Sequence, residues 1–373
     1  MKWMRWGLLC LIWIVALDGL NPAQGIEWKG RDWSIALNGA LRVSYNRDDC
    51  GGDCISGRQA TEAGAANEDG TYLSGNVSHI AIQGARDTTA GIKAVFRSEW
   101  GLDPSDRHRE DSLTDLEQFI GLDGGFGLLR AGTLETPYMQ SGNLLDPFYR
   151  DAAAARFFVD IQSALHHSTG KGRGRATNSI RYDAPTSLKG LDVSLFVSLD
   201  ETDDNDHAYG GGVAYRSQNW FVFAQYYDNG EPGDDEAYKV GAKISSPGYS
   251  LFGQYEFDNG LISLSENIAA VEPEGLNTAE NDLTDEDNET TGADLWLVGL
   301  TLGTRKIMVI GQYGEREDAD DARFSRSGHK SWLVGARYEL DAAFYLYTGY
   351  LEKKYNSDVD KDKRFTVGAT LMF

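Results

Sequence analysis

Apolar residues recur at every second position through most of this chain. From Trp33 to Tyr45, Ile35, Leu37, Leu41, Val43 and Tyr45 fall on one face, and Ser34, Asn38, Arg42 and Ser44 on the other. Gly91 to Trp100 repeats the pattern, with Ile92, Ala94, Phe96 and Trp100 against Lys93, Arg97 and Glu99. In Leu191–Leu199, Val193, Leu195 and Val197 alternate in the same way. A period of two means a strand with one apolar face. The same reading covers Tyr72–Gly84, Leu116–Asp123, Phe126–Thr133, Asn178–Asp183, Tyr209–Ser217, Trp220–Asp228, Ala237–Ser245 and Tyr249–Asp258. It continues through Asp294–Gly303, Lys306–Glu315, Ser331–Leu340, Ala343–Glu352 and Arg364–Phe373, giving about sixteen strands.

The connections alternate in length. Asp87–Thr89, Gly124-Gly125, Thr186–Gly190, Gln218-Asn219, Pro247-Gly248, Thr304-Arg305 and Asp341-Ala342 are short turns, whereas the others are long and polar. Tight turns at one end, long loops at the other and an even strand number predict an all-β fold, a transmembrane antiparallel barrel of the outer-membrane type. Aromatic residues gather at strand ends: Trp33, Tyr45, Tyr72, Trp100, Tyr182, Trp220, Tyr227, Trp296, Trp332, Tyr338, Tyr350 and Phe373. Such rings suit a boundary that is apolar on one side and wet on the other. A soluble sandwich is the alternative, but it needs a second sheet over each apolar face. A hydrophobic fraction of 41% suits lipid outside and water inside better.

Residues 1–25 read as a secretory signal, with Lys2 and Arg5 before the apolar run Trp6–Leu17 and small residues at Ala23-Gln24-Gly25. That leaves 26–373 as one barrel domain. The run is too short to span a bilayer. A net charge of −22 disfavours nucleic acid as a partner. The excess lies in blocks at Asp200–Asp206, Asp234–Glu236, Glu280–Glu289 and Asp318–Asp321. After export, Cys50 and Cys54 are placed to close a small disulfide ring in the first long loop. A metal site there is the weaker reading, because no His or further Cys lies nearby in sequence. The acidic run Asp282–Asp287 lacks the glycine turn and spaced bidentate Glu of a calcium loop. Neither a metal nor any other cofactor is expected.

Between the strands Phe126–Thr133 and Asn178–Asp183 lie about forty residues without alternation. A loop this long in a compact domain is normally functional. The expectation is that residues 134–177 fold into the barrel and narrow it. His166-His167-Ser168 invites an enzyme reading, but adjacent loop residues show no base held in reach of the serine by a third group.

These residues resemble the Gram-negative general porins. The likeness rests on Gly125–Thr133 with Thr136-Pro137, on Asn178–Pro185, and on the terminal Phe365–Phe373; Ser78–Gly84 is a looser match. The resemblance implies a sixteen-stranded barrel, usually a homotrimer, passing small hydrophilic solutes by diffusion. Its third loop would bring acidic groups opposite a basic wall and set up a transverse field. It also implies outer-membrane lipid and lipopolysaccharide as surroundings, and an assembly machinery that reads Phe373. The chain departs from the family pattern at His79 and Thr133, where arginine is common, which weakens the expected basic ladder.

If apolar residues face lipid, then Arg42, His79, Lys93, Arg97, Arg130 and Arg181 point inward, because a charge facing lipid near the midplane costs roughly 2–4 kcal/mol. Asp146, Asp151 and Asp160 are the acidic loop candidates. Asp146 precedes Pro147 in a tight bend and is the favoured pore carboxylate. Asp151 heads an alanine run and reads equally as a cap. Lys171, Arg173 and Arg175, on a glycine-spaced return, are candidates for the positive side of the pore, with a solvated loop end as the alternative. His79, with an ordinary pKa of ~6.5, is expected to make selectivity change modestly between about pH 5 and 8. A passive diffusion channel is the first functional reading; a substrate-specific channel and a surface adhesion barrel remain as alternatives.

Overall fold

The structure, a computed structural model, describes residues 25–49, 70–105, 113–155, 174–185, 190–199, 207–228, 230, 236–258, 293–304, 306–318, 328–356 and 361–373. The strands before the long loop are β1 (Ile26–Lys29), β2 (Trp33–Asp49), β3 (Gly70–Ser74), β4 (His79–Asp87), β5 (Lys93–Leu102), β6 (Leu113–Gly124) and β7 (Gly127–Glu135). Helix α1 (Pro137–Asn143) follows, then β8 (Arg175–Asp183), β9 (Leu191–Ser198), β10 (Ala208–Arg216), β11 (Trp220–Asp228) and β12 (Glu236–Ser246). The last strands are β13 (Tyr249–Asp258), β14 (Leu295–Gly303), β15 (Ile307–Arg316), β16 (His329–Glu339), β17 (Phe344–Tyr355) and β18 (Asp362–Met372). No helix among the described residues is long and apolar enough to cross a membrane.

All pairings are antiparallel, and β18 closes onto β2. Eighteen segments fill sixteen positions. On one edge of β2, β1 pairs Ser34–Leu37 and β18 pairs Ala40–Asp49, so the two lie end to end. Gly39 and Phe373 join them by reciprocal backbone bonds of 2.8 and 3.0 Å. On the other edge, β3 and β4 lie end to end in the same way. The alternation predicted one strand over Tyr72–Gly84. It breaks because Asn76 has a positive φ of 48° and the Ser78 hydroxyl, rather than a strand neighbour, takes the Arg42 amide at 2.8 Å. A closed sheet leaves no unpaired edge, the condition for crossing lipid with strands.

The two faces differ as the alternation requires. Along β2, Leu41, Val43 and Tyr45 are exposed on the outer face while Arg42, Ser44, Asn46 and Asp48 are buried on the inner one. Among the aromatic residues assigned to strand ends, Trp33, Tyr45, Trp220, Tyr338 and Tyr350 are exposed as expected. Tyr72 and Tyr227 are corrections. Tyr72 turns inward to donate to Asp48 at 3.1 Å, and Tyr227 is fully buried between Tyr138 and Phe196.

The interior is not uniformly polar. Phe221, Phe223, Phe252, Leu297, Ile310, Leu333, Tyr345, Tyr347 and Leu351 form an apolar patch across β11–β17, covered by Leu145, Phe148 and Ala153 of the long loop. The loop is shorter than predicted. Strand β7 runs on to Glu135 and β8 starts at Arg175, so the loop is 136–174.

Candidate functional site

The loop is held to the polar and apolar inner face at three places. The first is α1, started by Pro137 at its first turn and by the Thr136 hydroxyl, which accepts the Met139 amide at 3.1 Å. The Tyr138 hydroxyl donates to Glu256 at 3.1 Å. Lys239 donates to the Tyr138 carbonyl and stands 4.1 Å from its ring. The second is the apex, where Leu145 and Phe148 enter the apolar patch. The third is Arg150-Asp151, which reaches β2, β5, β17 and β18.

Asp146 and Asp151 divide their roles in the opposite way to that read from the sequence. Asp146 ties the loop to itself: Oδ1 accepts the Phe148 amide at 3.0 Å and Oδ2 the Ala155 amide at 2.8 Å. Gln312 adds a wall contact at 3.3 Å. Asp151 turns to the wall, accepting from Tyr345 at 2.9 Å and Thr370 at 3.0 Å, with Arg42 Nε at 3.7 Å.

On the wall, β5 sends Arg97 and Glu99 inward from positions two apart, joined at 2.6 Å. Arg97 also meets Gln83 at 2.6 Å and Glu117 at 3.3 Å. The loop answers with a cation: Arg150 donates to Glu99 at 3.0 Å and to Glu135 at 3.3 Å. Arg175 shares Glu135 at 3.1 Å. Beside this network, Arg130 and Arg181 grip Asp183 at 2.5 and 2.7 Å. His79 lies between Arg42 and Arg150, at 3.3 and 3.1 Å from its Nδ1. The Val77 carbonyl stands 3.3 Å from the same nitrogen.

Six guanidiniums therefore face five carboxylates, with spacings and burial that make removal of one partner costly, about 3–5 kcal/mol for a buried pair. Two backbone features aim the cluster. Gly132, at φ 140°, forms a bulge where a Cβ would lie 2.0 Å from the Gln118 carbonyl. The bulge shifts parity so that Arg130 and Glu135 both reach the inner face. Arg150 itself has φ 70°, a left-handed conformation that a non-glycine residue holds only at a cost.

Arg42, His79, Arg97, Arg130, Arg181, Asp146 and Asp151 thus gather where the loop meets the wall. Lys93 does not join them; it starts β5 beside the short turn, in register with Asp87 and Asp123. Asp160, Lys171 and Arg173 lie outside the described residues, as do Cys50, Cys54, the signal segment and His166–Ser168. The sequence reading missed the carboxylates Glu117, Glu135 and Asp183, although Asp183 shares parity with Arg181. It missed Arg150 because a loop has no period.

Burial pushes the Asp151 carboxyl up to about 6, against the opposing pull of Arg42 and its two hydroxyl donors. With a folded value above the unfolded one, the fold loses stability from this group as pH rises between about 4 and 6. Functionally, lowering pH from 7 to 5 neutralises Asp151 and leaves Arg42 without its carboxylate. The reversal potential in a salt gradient should then move toward anions with a midpoint near 6, and Asp151→Asn should abolish that step. An unchanged step in the variant would assign it to another group.

A family model described as Gram-negative porin matches residues 19–358. The chain belongs to the Gram-negative porin family. Among curated relatives, major outer membrane protein P.IB of Neisseria gonorrhoeae is 29% identical over 160 residues, covering 43% of this porin and 42% of the relative. The chain thus spans less than half the length of that relative. The P.IB of Neisseria meningitidis serogroup B is 24% identical over 306 residues, covering 78% and 82% of the two chains. Among solved structures, an anion-selective porin from Comamonas acidovorans superposes with a TM-score of 0.68 at 18% identity, covering 92% of this porin and all of that chain. Salmonella typhi OmpF, in a complex with daunomycin, gives 0.68 at 14% identity, covering 93% and 100%. At such identities the likeness speaks for the fold alone. This porin is an outer-membrane barrel.

Proposed function

We propose that the barrel is a water-filled diffusion channel for ions and small hydrophilic solutes, narrowed by loop 136–174. The observation that carries this reading is the loop's seating. Residues 137–155 run along the inner face from α1, against β9–β12, through the apolar patch to β17, β18 and β2. Glu99 and Arg181 meet the loop directly, through Arg150 and Gln140, and with Arg97 and Arg130 beside them they border the remaining lumen. Opposed fixed charges beside a narrow aqueous gap order passing ions and dipoles. A substrate-specific channel is the second reading, favoured by the dense pairing of this cluster. Proteoliposome swelling tests the proposal. Small sugars should enter at rates that fall steeply with size. Permeability no greater than that of empty liposomes would overturn the channel, and one small solute entering far faster than others of its size would favour the specific reading.

The family likeness also supports a homotrimer in lipid and lipopolysaccharide, assembled through the strand ending at Phe373. Light scattering in mild detergent should give three times the chain mass, and a monomer would contradict it.

A further inference from the structure

The long-loop end of the inner wall holds a buried arginine with no counter-charge among the described residues. Arg316 ends β15 and faces inward in the row of Ile310, Gln312 and Gly314. Its register partners are Leu295 on β14 and His329 on β16. It is 3% exposed, and both Nε and Nη2 lack a hydrogen-bond partner. No ion pair of its side chain is present among the described residues.

The barrel contains its own comparison. Arg364, 2% exposed, uses the same edge, Nε and Nη2, to hold the two oxygens of Asp48 at 2.8 and 2.9 Å. Arg97 and Arg181 turn that edge to Glu99 and Asp183. This planar fork matches the geometry of a carboxylate, and the pairing is stronger where water is excluded.

The carboxylates on nearby strands are engaged elsewhere. Glu256 accepts from Tyr138 and Gln254, and Asp258 from the Ala293 amide. Asp362 accepts from Tyr355, and Asp318 from Asn356 and the Gly328 amide. Neither register partner of Arg316 across the sheet is acidic. His329 is directly opposite, and Lys353 lies one strand further, opposite Ser331. An unpaired buried guanidinium is strongly unfavourable, so this position favours a carboxylate that the described residues do not supply.

We propose that the Nε–Nη2 edge of Arg316 is a binding station for a small carboxylate solute at the long-loop end of the lumen. It rests on the channel reading and deepens it, by giving one class of solute a stopping point before the loop.

The test is calorimetric titration of succinate into the detergent-solubilised full chain. Saturable binding should appear, weakened about tenfold or more in Arg316→Gln. It should be unchanged in Lys330→Gln, whose side chain is outward on the adjacent strand. Arg316→Lys keeps the charge but lacks the fork; it should lose the same affinity, and it replaces the glutamine variant if that one does not fold. Absence of succinate binding, equal binding in the Arg316 variants, or binding of inorganic phosphate in place of succinate would overturn the station. Conductance measured on the same preparation separates the two ideas. Channel activity without succinate binding removes the station alone, whereas binding without conductance removes the channel.

Discussion

Phe148→Ala and Gly349→Val should both raise single-channel conductance, although one removes volume and the other adds it. Gly335 and Gly349 face each other across β16 and β17 with both Cα positions on the inner wall. A Cβ at 335 would lie 2.8 Å from the Phe148 ring, and one at 349 would lie 3.1 Å from the Ala153 Cβ. The glycine pair is thus a hole and the loop apex is its knob. Truncating the fully buried ring should cost about 3–5 kcal/mol of loop seating. Filling the hole from the wall side should cost about 1–3 kcal/mol, because the apex can move away while the strand cannot. Gly349 is the better test position of the two. A Cβ at Gly335 would also meet the Thr348 carbonyl at 2.6 Å and strain the sheet itself. Circular dichroism should show the barrel intact in both variants. Wild-type conductance in both would mean that the apex does not border the pathway.

Exchanging Arg97 and Arg130 for glutamate together should turn the channel strongly toward cations. Arg97 is shared by Glu99 and Glu117, and Arg130 by Asp183. The double exchange converts six guanidiniums against five carboxylates into four against seven, all where the loop meets the inner wall. Interactions among partly buried charges are screened little by salt, unlike those among fully solvated charges. The reversal potential in a potassium chloride gradient should therefore shift at both low and high ionic strength. Arg97→Gln with Arg130→Gln should move it the same way by less, and avoids packing new like charges. If neither pair moves the reversal potential, the cluster is structural and ion choice is made elsewhere in the lumen.

The strand rhythm was legible because lipid and water stand on opposite faces of each strand, and a period of two records that difference. Where the faces do not differ, the record fails. Trp220-Phe221-Val222-Phe223 is apolar on both sides, so nothing marked Phe221 and Phe223 as inner residues bound for the loop apex. Four-residue β1 was too short to show a period. The β3–β4 break depends on the Ser78 hydroxyl bonding Arg42, a contact between residues 36 apart. The inward arginines followed from parity, and so could Asp183 have done. The loop offered no such rule. The position of α1 depends on Glu256 and Lys239, more than 90 residues downstream, and Asp146 and Asp151 could be told apart only by what surrounds them.

The proposed channel is a continuous aqueous path through one barrel, bounded by this loop. Single-channel recording of the purified protein in a planar bilayer, over a range of potassium chloride concentrations, tests it most directly. Discrete current steps should appear, with conductance rising in proportion to bulk salt and a larger step for Phe148→Ala at every concentration. Bilayers that stay silent with folded protein inserted would contradict it.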